Sequence, residues 1–335
     1  MKRFLLLCLV ATAAAAFAQE ATVTFVDGDV DIQREGGARR PADFGSELEN
    51  GDRIITEGGG YAELELASGG TVEVSGDTVF LVGSESGSGG EPQGRVAAAV
   101  GAFVFRFNAT VGNEPRIGST TSVAGVRGTE VRVYAASDGT TRYEVVEGRL
   151  EVQDGGVSVS LGPNEAVEVR AGGAPSSVFS FLENPIDYSV WNAGLVQDFL
   201  LEPLNSLDGI ADEMNSLIAE INRRVPEYER LRAIVDEEEA AMAEIADDGD
   251  REDFFENQVM SARREFRAYF VDLRFVVLSA LSLEQFVISR LAAEMQAAYF
   301  DDPENPTLVE FLTRVSDIRA GFEEAVVPWL VPSDL

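Results

Sequence analysis

The chain changes its grammar at Pro175, and this constrains the fold more than any other feature. From Ala21 to Arg170, short runs alternate apolar and polar residues and are punctuated by glycine, as in Tyr61 to Ala67 (YAELELA), Gly69-Gly70 and Thr71 to Val74 (TVEV). A period of two sends successive side chains to opposite faces, so one face of each run is predicted to be buried in a sheet. The pattern recurs at Val23 to Ile32, Val79 to Val82, Ala102 to Phe107, Val131 to Ala135, Tyr143 to Val146, Leu150 to Val152, Val157 to Leu161 and Ala166 to Val169. Roughly ten strands at this spacing predict an all-β domain, sandwich-like, barrel-like or solenoid-like. Ser84 to Gly94 (SESGSGGEPQG) reads as a flexible loop within it.

After Phe179 glycines become rare and the apolar period moves to about 3.5. Stepping by three and four from Met214 gives Leu217, Ile221, Arg224, Tyr228, Leu231, Val235, Glu238, Met242 and Ile245. The same stepping from Phe255 gives Val259, Ala262, Phe266, Tyr269, Leu273, Val276, Ala280, Leu283 and Val287. Two long helices joined at Ala246 to Arg251 are predicted to form an antiparallel hairpin with a coiled-coil-like seam. Pro226 lies inside the first stripe and predicts a kink or break at Val225. Shorter helices near Tyr188 to Leu200 and Thr307 to Val327 complete a small bundle. Phe254, Phe255, Phe266, Phe270, Phe275 and Phe286 exceed what one stripe buries and point to a second packing surface, against the β half in preference to a partner.

The predicted order is a signal peptide at 1–18, an all-β domain at 19–174, a linker at 175–186 and an acidic α-helical domain at 187–335. Lys2 and Arg3, the apolar run from Phe4 to Val10 and Ala16-Phe17-Ala18 have the layout of a cleavable export signal, which implies a periplasmic or extracellular protein with no transmembrane segment. Cys8 is one more apolar residue of that signal, since lipid attachment needs a small residue before the cysteine. Beyond Ala18 the sequence has no cysteine and no lysine, and histidine is absent throughout. Disulfides, thiolate metal sites and Cys or Ser/His nucleophilic dyads are thereby excluded. The net charge is −32, and the part after Pro175 holds 33 acids against 12 arginines. Nucleic acid and anionic lipid are poor partners for such a surface, whereas a cationic partner suits it.

Several pieces of the β half stand in a recognisable order: Gly51-Asp52 with Thr56, Gly69 to Val72, Val100 to Phe105, Val126-Arg127-Gly128-Thr129, Glu147-Gly148 and Gly162 to Glu165. Across residues 21–172 this series resembles the FecR domain, the periplasmic β domain of iron-transport sensors that also occurs in exported proteins. The resemblance implies an envelope location and a β fold. Those sensors place a cytoplasmic anti-sigma segment and a membrane span ahead of the domain, where this sequence has an export signal, so their signalling role is not expected to transfer. Gly51, Asp52, Thr56, Arg127, Gly128, Thr129, Gly148 and Gly162 are the signature residues. On their own chemistry they read as structural: glycines at strand edges accept positive φ or close backbone approach, and Asp52 and Thr129 bond to local backbone. Arg127 either pins two β layers through a carboxylate or contacts a ligand.

No catalytic, cofactor-binding or metal-binding residues are predicted. Asp27, Asp29 and Asp31 begin like a calcium loop, but Ile32 and Ala38 stand where that loop needs Gly and Glu. Asp247, Asp248, Asp250 and Asp253 at the hairpin tip offer oxygen ligands for calcium, and equally suit the positive end of the second helix. No phosphate loop occurs. The sequence therefore predicts a non-enzymatic envelope protein that binds or scaffolds, with envelope sensing left open as a role, and with a partner or self-association through the helical domain. A small-molecule or glycan-binding module is the alternative, followed by a carbohydrate-active enzyme with paired carboxylates.

Overall fold

The computed structural model describes residues 19–34, 37–49, 51–67, 69–86, 92–107, 116–154 and 156–330. The predicted signal peptide lies outside them. The described residues form an all-β half followed by a helical half, in the predicted order. The strands are β1 (Gln19–Gln33), β2 (Arg39–Pro41), β3 (Glu47–Glu49), β4 (Arg53–Leu66), β5 (Thr71–Val74), β6 (Thr78–Ser86), β7 (Pro92–Arg106), β8 (Arg116–Ser119), β9 (Val123–Ala135), β10 (Thr141–Asp154), β11 (Val157–Leu161), β12 (Glu165–Val169) and β13 (Phe179–Ser180).

They share one sheet in the order β13-β12-β10-β9-β8-β7-β5-β4-β1-β2. The pairing of β7 with β8 is parallel, and the other pairings among described residues are antiparallel. Long strands change neighbours part-way along. The start of β4 pairs with β6 and its end with β5, while the start of β10 pairs with β12 and its end with β11. The sheet thus curls around its own apolar face. Alternate residues such as Ile54, Leu64, Val72, Phe80, Phe103, Phe105, Val131, Val133, Tyr143 and Val145 fill a continuous core. Of the segment expected to be a flexible loop at Ser84 to Gly94, residues 84–86 and 92–94 are strand, with β6 and β7 in register out to Ser86 opposite Pro92, and residues 87–91 lie outside the described residues.

The helical half comprises α1 (Tyr188–Leu201), α2 (Pro203–Ala243), α3 (Asp248–Phe254), α4 (Met260–Ser282), α5 (Ser289–Ala298) and α6 (Pro306–Ala325). α2 and α4 form the predicted hairpin and bury Met214, Ile221, Tyr228, Leu231, Phe266, Leu273 and Ala280 from the predicted stripes. The break expected at Val225 does not occur, since α2 runs unbroken through Pro226. Tyr228 and Leu231 anchor the following turn in the core, and the Tyr269 hydroxyl donates to the Arg224 carbonyl at 3.1 Å in the turn the proline disturbs. Packing on the partner helix thus holds the turns on either side of the proline.

Two π-turns, Phe255–Val259 and Leu283–Ile288, join α3, α4 and α5 into one helix from Asp248 to Ala298. By length and composition it contains a window apolar enough to cross a membrane, in contrast to the expectation of no transmembrane segment; 72% of that window is buried within the chain, as for a core helix. The phenylalanine surplus serves two surfaces. Phe266 and Phe270 pack on Tyr228, while the Arg53 guanidinium of the β half lies 5.8 Å from the Phe286 ring and Leu81 of β6 joins the helical core.

Candidate binding cleft

The signature residues lie at turns and bends of the sheet, with backbone roles wherever their side chains are described. Gly51 adopts φ +93° and donates to the Val82 carbonyl. Asp52, 4% exposed, accepts from the Glu49 amide at 3.0 Å. Burial pushes its carboxyl up from the ordinary range, against the opposing pull of that amide and of Arg34. Thr56 donates to the Ser75 carbonyl and accepts from the Thr78 amide at 3.0 Å, and Thr129 donates to the Arg149 carbonyl at 3.1 Å.

Gly128 (φ +55°) and Gly148 (φ +86°) stand where β9 and β10 shift register, between the Glu130–Glu147 and Arg127–Arg149 pairs. Both positions need the left-handed region, which a Cβ disfavours. Gly162 departs from expectation: its φ is not positive, and Asn164, at φ +69°, takes the left-handed position of that turn. Gly162 is instead held by its N–H bond to Glu165 Oε2 at 2.7 Å. Arg127 sits in β9 opposite Arg149, and its side chain lies outside the described residues.

The most developed polar site lies elsewhere, on the outer face of the same strands. Register places Arg132 of β9 opposite Glu144 of β10, and Tyr134 opposite Arg142, which in turn faces Glu168 of β12. Their neighbours Val131, Val133, Tyr143 and Val145 point into the core, so these charges stand on the opposite face. Residues 179–191 fold over that face as a strap. They begin with β13 paired on β12 and end in the first turn of α1, which Asp187 caps by accepting from the Ser189 and Val190 amides.

The strap seals the Arg142 row. Arg142 and Glu144 are each 3% exposed. Arg142 bonds to Glu144 Oε1 at 2.8 Å, to Glu168 at 3.4 Å and to the Asn184 carbonyl at 2.6 Å, beneath the Phe179 ring at 5.0 Å. Trp191 Nε1 donates to Glu168 at 3.3 Å, and the Tyr134, Tyr188 and Trp191 rings cluster within 6.5 Å of one another. Burial raises the Glu144 carboxyl, against the favourable charge and bonds of Arg142.

In the neighbouring row Arg132 stays half-exposed while Glu144 is buried. Arg132 Nη1 stands 4.0 Å from Glu144 Oε2, beyond hydrogen-bonding reach, and its guanidinium lies 5.9 Å from the Phe181 ring. Arg132, Tyr134, Glu144, Phe181, Leu182, Pro185 and Ile186 line a cleft of about 190 Å³. It has one carboxylate in its lining, where acid–base cleavage of a glycoside takes two.

Two of the acids singled out for calcium have partners within the chain. Asp247 caps α3 by accepting from the Gly249 and Asp250 amides, and Asp248 pairs with Arg251 at 3.1 Å. Asp27, Asp29 and Asp31 lie along β1, exposed or half-buried. Among the described residues no group of three or more His, Cys, Asp or Glu converges as metal ligands do.

The family model described as FecR protein matches residues 52–151, from the buried Asp52 to Glu151 within β10, beyond Gly148. These residues are a FecR domain. The match is narrower than the 21–172 expected, although β1 and β12 on either side belong to the same sheet. None of the curated proteins matches the chain. Among solved structures, two of a "putative anti-sigma factor" from Parabacteroides distasonis align at 21% and 22% identity, each over 38% of this chain, with TM-scores of 0.33 and 0.34. The chain spans 59% of the length of those two proteins. A third, a cell surface anchoring domain, aligns at 26% identity over 18% of this chain and 80% of its own, with a TM-score of 0.18. Arg132 and Glu144 fall inside the FecR domain, whereas the strap that covers them lies beyond it. An aromatic-rich run, Phe179, Phe181, Tyr188 and Trp191, was the sequence signal for this site, because a solvated linker rarely carries four such rings.

Proposed function

We propose that the chain is a non-enzymatic binding or scaffolding protein of the cell envelope, exported by residues 1–18. Its FecR domain provides a stiff curled sheet and its acidic helical half a second contact, for a basic partner or for another copy. The observation that carries this reading is the FecR domain at 52–151 with the helical half docked on β6 through Leu81 and Phe286. The hairpin tip is free of those contacts, and Asp236, Glu237, Glu244, Asp247, Asp248, Asp250, Glu252 and Asp253 are all exposed there.

Affinity capture from the envelope with the intact mature chain, paired with light scattering of the purified protein, tests it. A basic envelope partner, or a discrete oligomer, released by Asp247→Lys with Asp250→Lys, is expected. A monomer that captures nothing from the envelope defeats the proposal. The Arg132–Glu144 cleft favours a second reading, a small-molecule or glycan-binding module on the β half.

A further inference from the structure

We propose that the outer face of α1 is a dimer interface, packed antiparallel against α1 of a second copy of this chain. The proposal goes beyond the hairpin-tip contacts of the proposed function and is tested apart from them.

α1 (YSVWNAGLVQDFLL) spreads its apolar residues around the whole helix instead of along one stripe, a pattern of helices that are covered on more than one side. Its inner face is occupied. Leu195 and Phe199 are buried, and the Phe199 ring meets Phe311 edge-on at 5.7 Å. Trp191 donates to Glu168, Tyr188 to the Ala135 carbonyl, and Asn192 Oδ1 accepts from the Ser137 amide, so the helix is clamped to the β half. At 3.6 residues per turn, Val190, Gly194, Gln197 and Leu201 fall within a sector of about 60° on the opposite side. All four are exposed, Val190 at 71% and Leu201 at 80%. A fixed helix thus holds out two large apolar side chains ~16 Å apart along its axis, uncovered by the described residues.

Gly194 answers no need inside the described chain. Glycine is disfavoured within a helix against every residue but proline, and a Cβ on Gly194 would meet no atom within 4 Å. A close approach from outside is what its bare backbone permits. Register and charge name the occupant. In an antiparallel pair, the register that sets Val190 against Leu201 of the copy also sets Gly194 against Gln197, and the two-fold axis repeats both contacts, as an isologous interface requires. Each Gln197 side chain then enters the space left at a Gly194, and apolar meets apolar at both ends. The sector carries no charge, on a chain of net charge −32. Asp198 lies beside it and in this register faces Ala193 instead of another acid. A basic partner finds nothing to pair with there, whereas two acidic copies can meet along a neutral stripe. One helix face is smaller than the ~800 Å² per partner of a standard interface, so the dimer is a weak, exchanging one.

Sedimentation velocity on the intact mature chain, over a concentration series at ~20 mM and ~500 mM salt, reads the equilibrium. A monomer–dimer equilibrium is expected, at least tenfold tighter at the higher salt because screening removes the repulsion between like-charged copies. Leu201→Glu should weaken the dimer at least tenfold and leave the melting temperature of the monomer unchanged. Gly194→Gln should weaken it as much while raising that melting temperature, a pairing of opposite effects that a purely structural glycine would not give. Beyond residue 18 the chain has no cysteine, so single cysteines report the register. A mixture of Val190→Cys and Leu201→Cys chains should form a disulfide-linked dimer under mild oxidation, and Val190→Cys alone should not. The dimer should persist in Asp247→Lys with Asp250→Lys, which separates it from the tip contacts. A monomer at every concentration and salt, a dimer indifferent to both Leu201→Glu and Gly194→Gln, or equal crosslinking by Val190→Cys alone overturns the interface. A monomer that floats with neutral phosphatidylcholine vesicles through Leu201 also overturns it and gives the face to a lipid surface.

Discussion

Glu213 is a residue whose environment opposes its charge. It is half-buried on α2, and burial, then the charge of Asp154 on β10, pushes its carboxyl from 4.5 up to about 7. The folded state thus holds this proton more tightly than the unfolded chain does. The resulting stability is fully present below about pH 4.5 and is lost as pH rises to about 7. Glu213→Gln should match the parent in acid and exceed it in melting temperature at pH 8, as thermal melts across that range will read; an equal or lower melting temperature at pH 8 contradicts the assignment. At the β9–β10 bend, Gly148→Ala should cost roughly 1–2 kcal/mol in urea unfolding, because φ +86° lies where a Cβ meets the following carbonyl. Gly148→Asn should cost less, since asparagine tolerates that region better. The bend's two glycines were legible in the sequence as places for positive φ. Gly162 was not, because in its turn Asn164 supplies the same geometry and no pattern of glycines reveals which residue does so.

At the scale of elements, periodicity located the hairpin and missed how its second helix is built. Beyond Leu283 the buried residues are Val287, Ile288, Leu291, Ala292 and Met295, a stripe that does not reveal the π-turn's extra residue at Leu283–Ile288. The strap was hidden for a different reason. Its proline and asparagine read as linker, and its anchoring depends on Arg142 and Glu168, which are distant in sequence and converge only once β10 and β12 pair. That anchoring is testable. Arg142→Met leaves Glu144 buried without its close partner and should cost about 3–5 kcal/mol in denaturant unfolding. Adding Glu144→Leu should recover part of that loss, since two apolar groups replace the pair. A double variant no more stable than the single would mean that Arg142 acts through the strap's Asn184 carbonyl and Phe179 ring instead.

At the scale of the molecule, the two halves meet across more than apolar side chains. The Ser137 amide donates to Asn192 of α1 at 2.8 Å and the Tyr188 hydroxyl to the Ala135 carbonyl at 2.9 Å. Gly209 of α2 lies against the turn after β12, where an added Cβ would come within 2.4 Å of the Ala171 carbonyl oxygen, and one on Gly172 within 2.6 Å of the Gly209 carbonyl oxygen. This makes Gly209 a discriminating probe of docking, because its two effects have opposite signs. Inside a helix alanine is favoured over glycine by about 0.8–1.0 kcal/mol. If α2 stood free of the β half, Gly209→Ala would therefore stabilise the protein. With α2 seated on backbone that cannot move aside as a side-chain tip does, the clash outweighs that gain, and the variant should lose stability. Hydrogen exchange should then rise at the 171–173 turn and along β6 while the core strands β4 and β10 stay protected, as expected when an interface loosens and a domain core does not. A stabilised Gly209→Ala with unchanged exchange at that turn would mean that the helical half is not held on the FecR domain at this point.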